Sequence, residues 1–186
     1  LGIGDGGCVE LGFPFLTHSL EKIWGTIIRI DPLGNNSANG QYGIRQDNPF
    51  VKNQNKSVGE IYSYGFRNPH RITWSKAGQM LVSNVGGGNI ESVNLVMPGQ
   101  DFGWPIREGT FVLDPYGDIT KVYPLPADDS IYNITYPVAQ YDHDKGGAGV
   151  SGGFEYWGRA IPSLRGKFIF GDIPSGRLFY IEMADI

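Results

Sequence analysis

The sequence predicts an all-β protein made of many short strands joined by tight turns. Its 186 residues include 28 Gly, 12 Pro and an unusual number of aromatics (4 Trp, 10 Tyr and 10 Phe), whereas only 18% are charged. Glycine and proline favour turns and aromatic side chains favour strands, so this composition is typical of β-rich domains. A chain of this length can bury one hydrophobic core.

Charge and hydropathy exclude two classes of function. The formal net charge is −4 and the Lys and Arg residues are scattered singly, so the chain offers no basic stripe for nucleic acid. No run of about 18 apolar residues occurs, and the sequence therefore predicts no membrane span. Cys8 is the single cysteine, which excludes an internal disulfide.

Two recurring patterns predict strands in a propeller arrangement. An apolar strand that ends in a small polar residue recurs at Asp5, Asn84 and Asp172. A glycine followed by alternating apolar residues recurs at Gly25, Gly59 and Gly176. The polar positions lie about 80 to 90 residues apart, which leaves room for two sheets in each gap at 40–50 residues per propeller repeat. Three to four blades are therefore expected, and a β-sandwich remains the alternative.

Polar segments between the strands predict surface loops. Residues 33–57 are rich in Asn, Gln and Gly and contain a turn signal at Asn39-Gly40. Residues 113–135 form a second such segment. Loops of this length in a compact domain are often functional rims. Only residues 19–24 suggest a helical turn.

The most informative segment is Gly65 to Trp74, which contains Arg67-Asn68-Pro69. A proline after the Arg-Asn pair restricts the backbone, so a planar guanidinium and an amide are presented from a stiff loop. Such a pair suits a ligand that carries carboxylate groups. The alternative is a structural arginine paired with a neighbouring blade, followed by an asparagine that serves the turn.

This segment resembles the cofactor loop of the pyrroloquinoline quinone (PQQ) dependent sugar dehydrogenases, the glucose/sorbosone dehydrogenase family. Further blocks that resemble the family follow the same order along nearly the whole chain, at residues 4–7, 25–32, 99–105, 152–158 and 162–168. The resemblance implies a six-bladed β-propeller type of fold. Residues 1–186 would form a partial propeller of about three to four blades, truncated at both ends.

The same resemblance implies PQQ and Ca²⁺ as cofactors. Arg67 and Asn68 would hold carboxylate and carbonyl oxygens of PQQ, while backbone carbonyls of Gly86 and Gly87 would hold the calcium ion. Consecutive glycines allow the close backbone approach that carbonyl ligation of a hard cation requires. His143 would be a pocket residue whose two flanking aspartates raise its basicity. A plain glycine-rich hairpin and an exposed loop histidine are the alternatives.

Some positions depart from the family pattern. Ser92 replaces an acidic residue of a second, structural calcium site. Residues 8–15 replace a polar segment, which predicts a local rearrangement after Gly7. For Asp5 a turn-capping role is favoured over metal binding, and for Trp104 a core position is favoured over contact with the cofactor.

The implied function is that of a segment of a soluble PQQ- and calcium-dependent aldose dehydrogenase, which oxidises the C1 hydroxyl of a sugar and passes electrons to an external acceptor. The family's histidine general base belongs upstream of Leu1, so no catalytic residue is assigned here and the 186 residues alone are predicted to be inactive. The resemblance also implies a periplasmic or secreted location, with a sugar as the small-molecule partner.

Two other functions remain open. The first is a non-catalytic propeller that binds other proteins, related to the hedgehog-interacting-protein-like domains, in which similar motifs persist without sugar oxidation. The second is a calcium-dependent propeller hydrolase such as a lactonase. That function needs a cluster of carboxylate and asparagine ligands, and the acidic residues of this sequence are dispersed.

Overall fold

Short antiparallel strands make up most of the secondary structure of this computed structural model, which describes residues 1–53 and 56–186. The strands are β1 (Gly2–Ile3), β2 (Thr26–Ile28), β3 (Ile30–Asp31), β4 (Gly43–Ile44), β5 (Ile61–Ser63), β6 (Asn68–Trp74), β7 (Met80–Val85), β8 (Ile90–Val96), β9 (Arg107–Glu108), β10 (Phe111–Leu113), β11 (Val122–Tyr123), β12 (Ala139–Asp142), β13 (Val150–Glu155), β14 (Lys167–Asp172) and β15 (Leu178–Glu182). The described residues contain no α-helix, only 3-10 segments at Pro14–His18, Asp129–Tyr132, Pro162–Leu164 and Met183–Asp185. The all-β class predicted from the composition is therefore confirmed.

The segments predicted to be long loops each contain a short strand. Residues 33–57 include β4, and residues 54–55 of this segment lie outside the described part of the chain. Residues 113–135 include β11 and a 3-10 segment. The helical turn predicted at residues 19–24 is wrong: the helical segment is Pro14–His18, where a proline fits the first helical position.

Three sheets are stacked in the order expected for successive propeller blades. The first contains β1-β2-β5, the second β12-β8-β7-β6 and the third β13-β14-β15. The second sheet lies between the other two, because β6 packs against β1 on one side and both β6 and β7 pack against β13 on the other. Strands β3-β4 and β9-β10-β11 form two small accessory sheets. Among the described residues the chain therefore contains three blades.

The core lies in the two interfaces between these sheets. Neighbouring residues Leu81 and Val82 of β7 belong to different clusters, since successive side chains of a strand point to opposite faces. Val82 packs with Ile27 and Phe66 against the first sheet, whereas Leu81 packs with Phe168 against the third. Both faces of β7 are buried, so its first three residues, Met80, Leu81 and Val82, are all apolar.

The repeat predicted from Asp5, Asn84 and Asp172 corresponds to one blade per interval. Each of these residues lies where one strand turns into the next of the same sheet, at β1–β2, β7–β8 and β14–β15. The expectation of two sheets of about four strands in each gap is wrong: each gap contains strands that amount to about one blade, and a small accessory sheet accounts for the additional length. Gly59 is also not equivalent to Gly25, since it precedes β5, which pairs with β2 within one sheet.

Asp172 shows what the polar residue at this turn does. Its side chain is 3% exposed and accepts N–H groups from Ala148, Gly149 and Ser175 at 3.0, 3.0 and 2.8 Å. The hydroxyl groups of Ser175 and Tyr141 donate to it at 2.6 and 2.8 Å. Burial alone would raise the pKa of Asp172, but these hydrogen bonds outweigh it and hold that pKa well below its usual range.

Replacement of Asp172 by asparagine is expected to lower the free energy of unfolding by about 2 to 3 kcal/mol at neutral pH. Both oxygens of Asp172 accept hydrogen bonds, and the NH₂ group of asparagine would replace one of these acceptors with a donor. The folded-state pKa of Asp172 is depressed, so its stabilisation is complete above the unfolded value of 3.8 and is lost as the pH falls below it. The difference between wild type and Asp172→Asn should therefore shrink in acid. Urea unfolding at about pH 7 and about pH 3 measures this.

The exposed Asp144 provides the control, since Asp144→Asn should change the stability by less than about 0.5 kcal/mol at either pH. A stability difference between wild type and Asp172→Asn that is the same at both pH values would contradict the assignment. It would mean that the lost contribution does not depend on ionisation of Asp172.

Candidate functional site

The turn that presents Arg67 and Asn68 is fixed by tight packing. Gly65 has a φ of +76°, and a Cβ there would lie 2.1 Å from Oδ1 of Asp101, so no larger residue fits. Phe66 is fully buried and stacks on Phe102 with ring centroids 4.3 Å apart. The next two side chains are therefore carried by a backbone with little freedom, as the Arg-Asn-Pro motif predicts.

Arg67 and Asn68 both have unused hydrogen-bonding capacity. The Nε atom of Arg67 is buried and has no hydrogen-bond partner among the described residues. Nη2 of Arg67 lies 3.6 Å from Oε1 of Glu10, an ion pair longer than a hydrogen bond. The backbone N–H of Asn68 donates to Oδ1 of Asn84 at 2.9 Å, whereas no described residue bonds its side-chain amide. A ligand with carboxylate or carbonyl oxygens would satisfy these groups.

The glycine loop, residues 86–89 between β7 and β8, lies directly beside this turn. Asn68 pairs with Val85 at the end of the β6–β7 ladder, so Arg67 and Gly86 are the residues that adjoin this last pair on the two strands. A Cβ on Gly86 would lie 1.8 Å from the carbonyl oxygen of Ile90, so only glycine fits. No described residue donates a hydrogen bond to the carbonyl oxygens of Gly86 or Gly87. The structure thus brings the candidate PQQ and calcium groups to one end of one hairpin.

Glu108 holds the other side of the glycine loop and was not predicted from the sequence. It is 3% exposed, and its Oε1 accepts N–H groups of Gly87, Asn89 and Ile90 at 2.7, 3.0 and 3.0 Å. Its Oε2 accepts Nδ2 of Asn89 at 2.8 Å. No local pattern marks this residue, because its partners lie about 20 residues away in the chain.

His143 contacts the same loop but not the Arg67 turn. Its backbone N–H donates to the carbonyl of Asn89 at 3.1 Å. Its ring Nε2 lies 3.0 Å from Oε1 of Glu91, which is fully buried. The carboxylate beside His143 is therefore Glu91 of β8, and not a flanking aspartate as the sequence predicted, since Asp142 and Asp144 are exposed.

The acidic residues do not converge on a metal. Within residues 1–53 and 56–186, no three His, Cys, Asp or Glu side chains are placed to hold an ion together. Glu91 is occupied by His143 and by the backbone N–H of Val150 at 2.9 Å. This arrangement gives no support to the lactonase alternative. Carbonyl ligation at the glycine loop requires no such cluster.

Asp5 and Trp104 have the structural roles that the sequence favoured. Oδ1 of Asp5 accepts the N–H of Gly7 at 3.0 Å, which closes the turn, and Oδ2 accepts the indole N–H of Trp104 at 2.8 Å. Trp104 is 4% exposed. Its ring also reaches the glycine loop, since a Cβ on Gly87 would lie 3.0 Å from it. Trp104 is thus a core residue whose ring packs against the glycine loop at Gly87.

The segment after Gly7 places an acidic group at the site. Cys8 and Val9 are buried, whereas Glu10 extends to Arg67. Burial, reinforced by the charge of Asp5, raises the pKa of the Cys8 thiol to about 11, so it stays protonated and is a poor nucleophile. The departure of residues 8–15 from the family pattern therefore changes the environment of Arg67, because it brings Glu10 next to the guanidinium.

Stacked blades that bring an arginine–asparagine turn next to a glycine loop define a propeller-type protein with one candidate ligand site. The sequence matches the Glucose / Sorbosone dehydrogenase family over residues 2–185, and the chain belongs to that family. The family predicted from the short motifs is thereby confirmed.

Two relatives of this chain carry names of different kinds. The chain is 29% identical over 188 residues to the HIPL2 protein of Arabidopsis thaliana, which covers 91% of this chain and 26% of that protein. It is 27% identical over 146 residues to quinoprotein glucose dehydrogenase B of Acinetobacter calcoaceticus, which covers 71% of this chain and 28% of that protein. The chain thus spans about a quarter of the length of these relatives.

The solved structures confirm the fold. The PQQ-bound aldose sugar dehydrogenase of Streptomyces coelicolor has a TM-score of 0.61 and 22% sequence identity, over 96% of this chain and 39% of that one. The soluble aldose sugar dehydrogenase of Escherichia coli, in its apo form, has a TM-score of 0.67 and 20% identity, over 98% of this chain and 49% of that one. The three blades described above correspond to about half of such a protein.

Proposed function

We propose that this chain is a segment of a PQQ- and calcium-dependent aldose dehydrogenase that oxidises the C1 hydroxyl of a sugar and passes electrons to an external acceptor. The observation that carries the proposal is the pair of unused groups at one turn, the buried Nε of Arg67 and the free amide of Asn68. A buried polar group without a partner is costly, so its presence favours a ligand at this position.

The residues of the turn fit PQQ, which carries several carboxylates and a quinone. The guanidinium of Arg67 would bind a carboxylate, and the amide of Asn68 would donate to a carbonyl or carboxylate oxygen. The unbonded carbonyls of Gly86 and Gly87 would bind Ca²⁺ beside it. When bound, PQQ supplies the redox chemistry that side chains lack. His143, held by Glu91, would border the pocket.

The proposal assigns no catalytic base to residues 1–186. In the proposed reaction the sugar loses a hydride from C1 and a proton from the C1 hydroxyl, which together amount to two electrons and two protons, and the two electrons finally pass to the external acceptor. A general base must reach the C1 hydroxyl directly or through one water. We propose that this base lies in another part of the protein, so the 186 residues alone would bind the cofactor without turning over a sugar.

A periplasmic or secreted location belongs to the same proposal. It rests on the resemblance to the family. The described residues contain no helix that is long and apolar enough to cross a membrane. The partners expected in that compartment are a small sugar and an electron acceptor.

The proposal is tested by reduction of an acceptor dye with an aldose as electron donor, using the protein expressed from its complete reading frame. Activity is expected with PQQ and Ca²⁺ together, and should fall to background when either is omitted. A folded protein that shows no activity and no change in the PQQ spectrum would contradict the dehydrogenase assignment.

A non-catalytic binding module is the second candidate. It is favoured by the similarity to the HIPL2 protein over 91% of this chain and by the contact of Glu10 with Arg67, which places a carboxylate of the protein where a ligand carboxylate would bind. A module related to hedgehog-interacting-protein-like domains would retain the fold without binding PQQ. The PQQ titration distinguishes the two candidates, because only the dehydrogenase should alter the PQQ spectrum.

A further inference from the structure

Glu108 is a buried carboxylate with no basic side chain paired to it among the described residues. The neighbouring Arg107 is paired with Asp129, at the other side of β9. All four hydrogen bonds to the Glu108 carboxylate come from Gly87 and Asn89 in the glycine loop and from Ile90 at the start of β8. A buried charge is retained only where hydrogen bonds compensate its desolvation, so this carboxylate and this loop stabilise each other.

These hydrogen bonds determine where a loop carbonyl points. The N–H of Gly87 and the carbonyl of Gly86 belong to one planar trans peptide and point in opposite directions. Because Glu108 accepts this N–H at 2.7 Å, the carbonyl of Gly86 is directed away from Glu108. The same geometry occurs in the peptide that joins Asn89 to Ile90, three peptides later. Ile90 donates to Glu108, and the carbonyl of Asn89 points away and accepts the N–H of His143.

We propose that Glu108 is a positioning residue for the glycine loop. Glu108 would fix the Gly86 carbonyl in the orientation that binds Ca²⁺. Its negative charge, buried behind the loop, also favours a cation on the opposite side. The inference rests on the proposed function, since it assumes that calcium binds at this loop. Groups that orient metal ligands in this way commonly change metal affinity by about 10- to 100-fold when they are replaced.

The test measures the affinity for Ca²⁺ directly by calorimetry, without PQQ or sugar, on the protein from its complete reading frame. Glu108→Gln keeps the shape of the side chain but replaces one acceptor oxygen with an NH₂ group. Its Kd for Ca²⁺ is expected to rise about 10- to 100-fold. The matched control is Asp172→Asn, which alters another buried carboxylate that accepts backbone N–H groups, in the third sheet. It should lower the unfolding temperature and leave the Kd unchanged.

A folded Glu108→Gln protein with the wild-type Kd for Ca²⁺ would overturn the inference and leave the proposed function intact. A wild-type protein that binds no Ca²⁺ would overturn the inference together with the calcium part of the proposed function. If Glu108→Gln does not fold, Asn89→Ala decides, because it keeps the three backbone donors to Glu108 and removes the side-chain donor to Oε2, together with a longer hydrogen bond to the carbonyl of Ile119 at 3.2 Å. Its Kd is expected to rise about 3- to 10-fold, and an unchanged value would refute the positioning role.

Discussion

Replacement of Arg67 by alanine is expected to weaken PQQ binding by about 100-fold or more, because charge-assisted hydrogen bonds to a carboxylate are lost. The stability of the protein should change little. Among the described residues the Arg67 guanidinium forms only the long ion pair with Glu10, and its Nε atom has no partner there. Titration of PQQ followed by absorbance gives the affinity, and thermal denaturation of the same samples gives the stability.

Arg45 offers a matched control. Its guanidinium is paired with Asp47, and both residues are exposed just after the accessory strand β4. Arg45→Ala should bind PQQ like the wild type. Arg67→Lys keeps the positive charge but loses the planar fork, so an intermediate affinity is expected. An Arg67→Ala protein that binds PQQ as tightly as the wild type would exclude this turn as the cofactor site.

Replacement of Phe66 by alanine is expected to lower the free energy of unfolding by about 3 to 5 kcal/mol. The Phe66 side chain is fully buried, stacks on Phe102 and packs against Val82 between the first two sheets. Its loss leaves a cavity at the joint of two blades and loosens the turn that carries Arg67. PQQ affinity should therefore fall together with stability, in contrast to the Arg67→Ala variant. Urea unfolding measures the first effect and a PQQ titration the second.

Phe154 provides the comparison, because it is 75% exposed on the third sheet. Phe154→Ala should cost less than about 1 kcal/mol. If Phe66→Ala were equally mild, the two sheets would not depend on this contact for their packing. The rigidity of the Arg67 turn would then need another source.

The sequence predicted the fold because its signals are local. Strands and turns depend on neighbouring residues, so Asn84 near the end of β7 and Asp172 at the end of β14 could be recognised as equivalent. The number of sheets per interval could not be predicted in the same way. Accessory strands such as β3 and β9 have no periodicity that distinguishes them from a blade.

The candidate site was predicted only where a short motif carries it. Arg67 and Asn68 were predicted because the segment around them resembles the family's cofactor loop in a chain that carries further matching blocks in the same order, and the β6–β7 ladder then ends next to Gly86. Glu10 and Glu108 escaped prediction because each meets its partner through the stacking of strands far apart in the chain. An isolated glutamate carries no signal of what it will contact after folding.

The β6–β7 hairpin holds both candidate ligand loops, one at the start of β6 and the other at the end of β7. Their separation is set by the hydrogen-bond ladder of a single strand pair, whereas Phe66 and Glu108 hold the conformation of each loop. Substitutions on the far sides of the first and third sheets are therefore expected to leave the distance between the two loops unchanged. A transplant of the two loops into another protein would therefore have to include residues 65–90 and to supply an acceptor in place of Glu108.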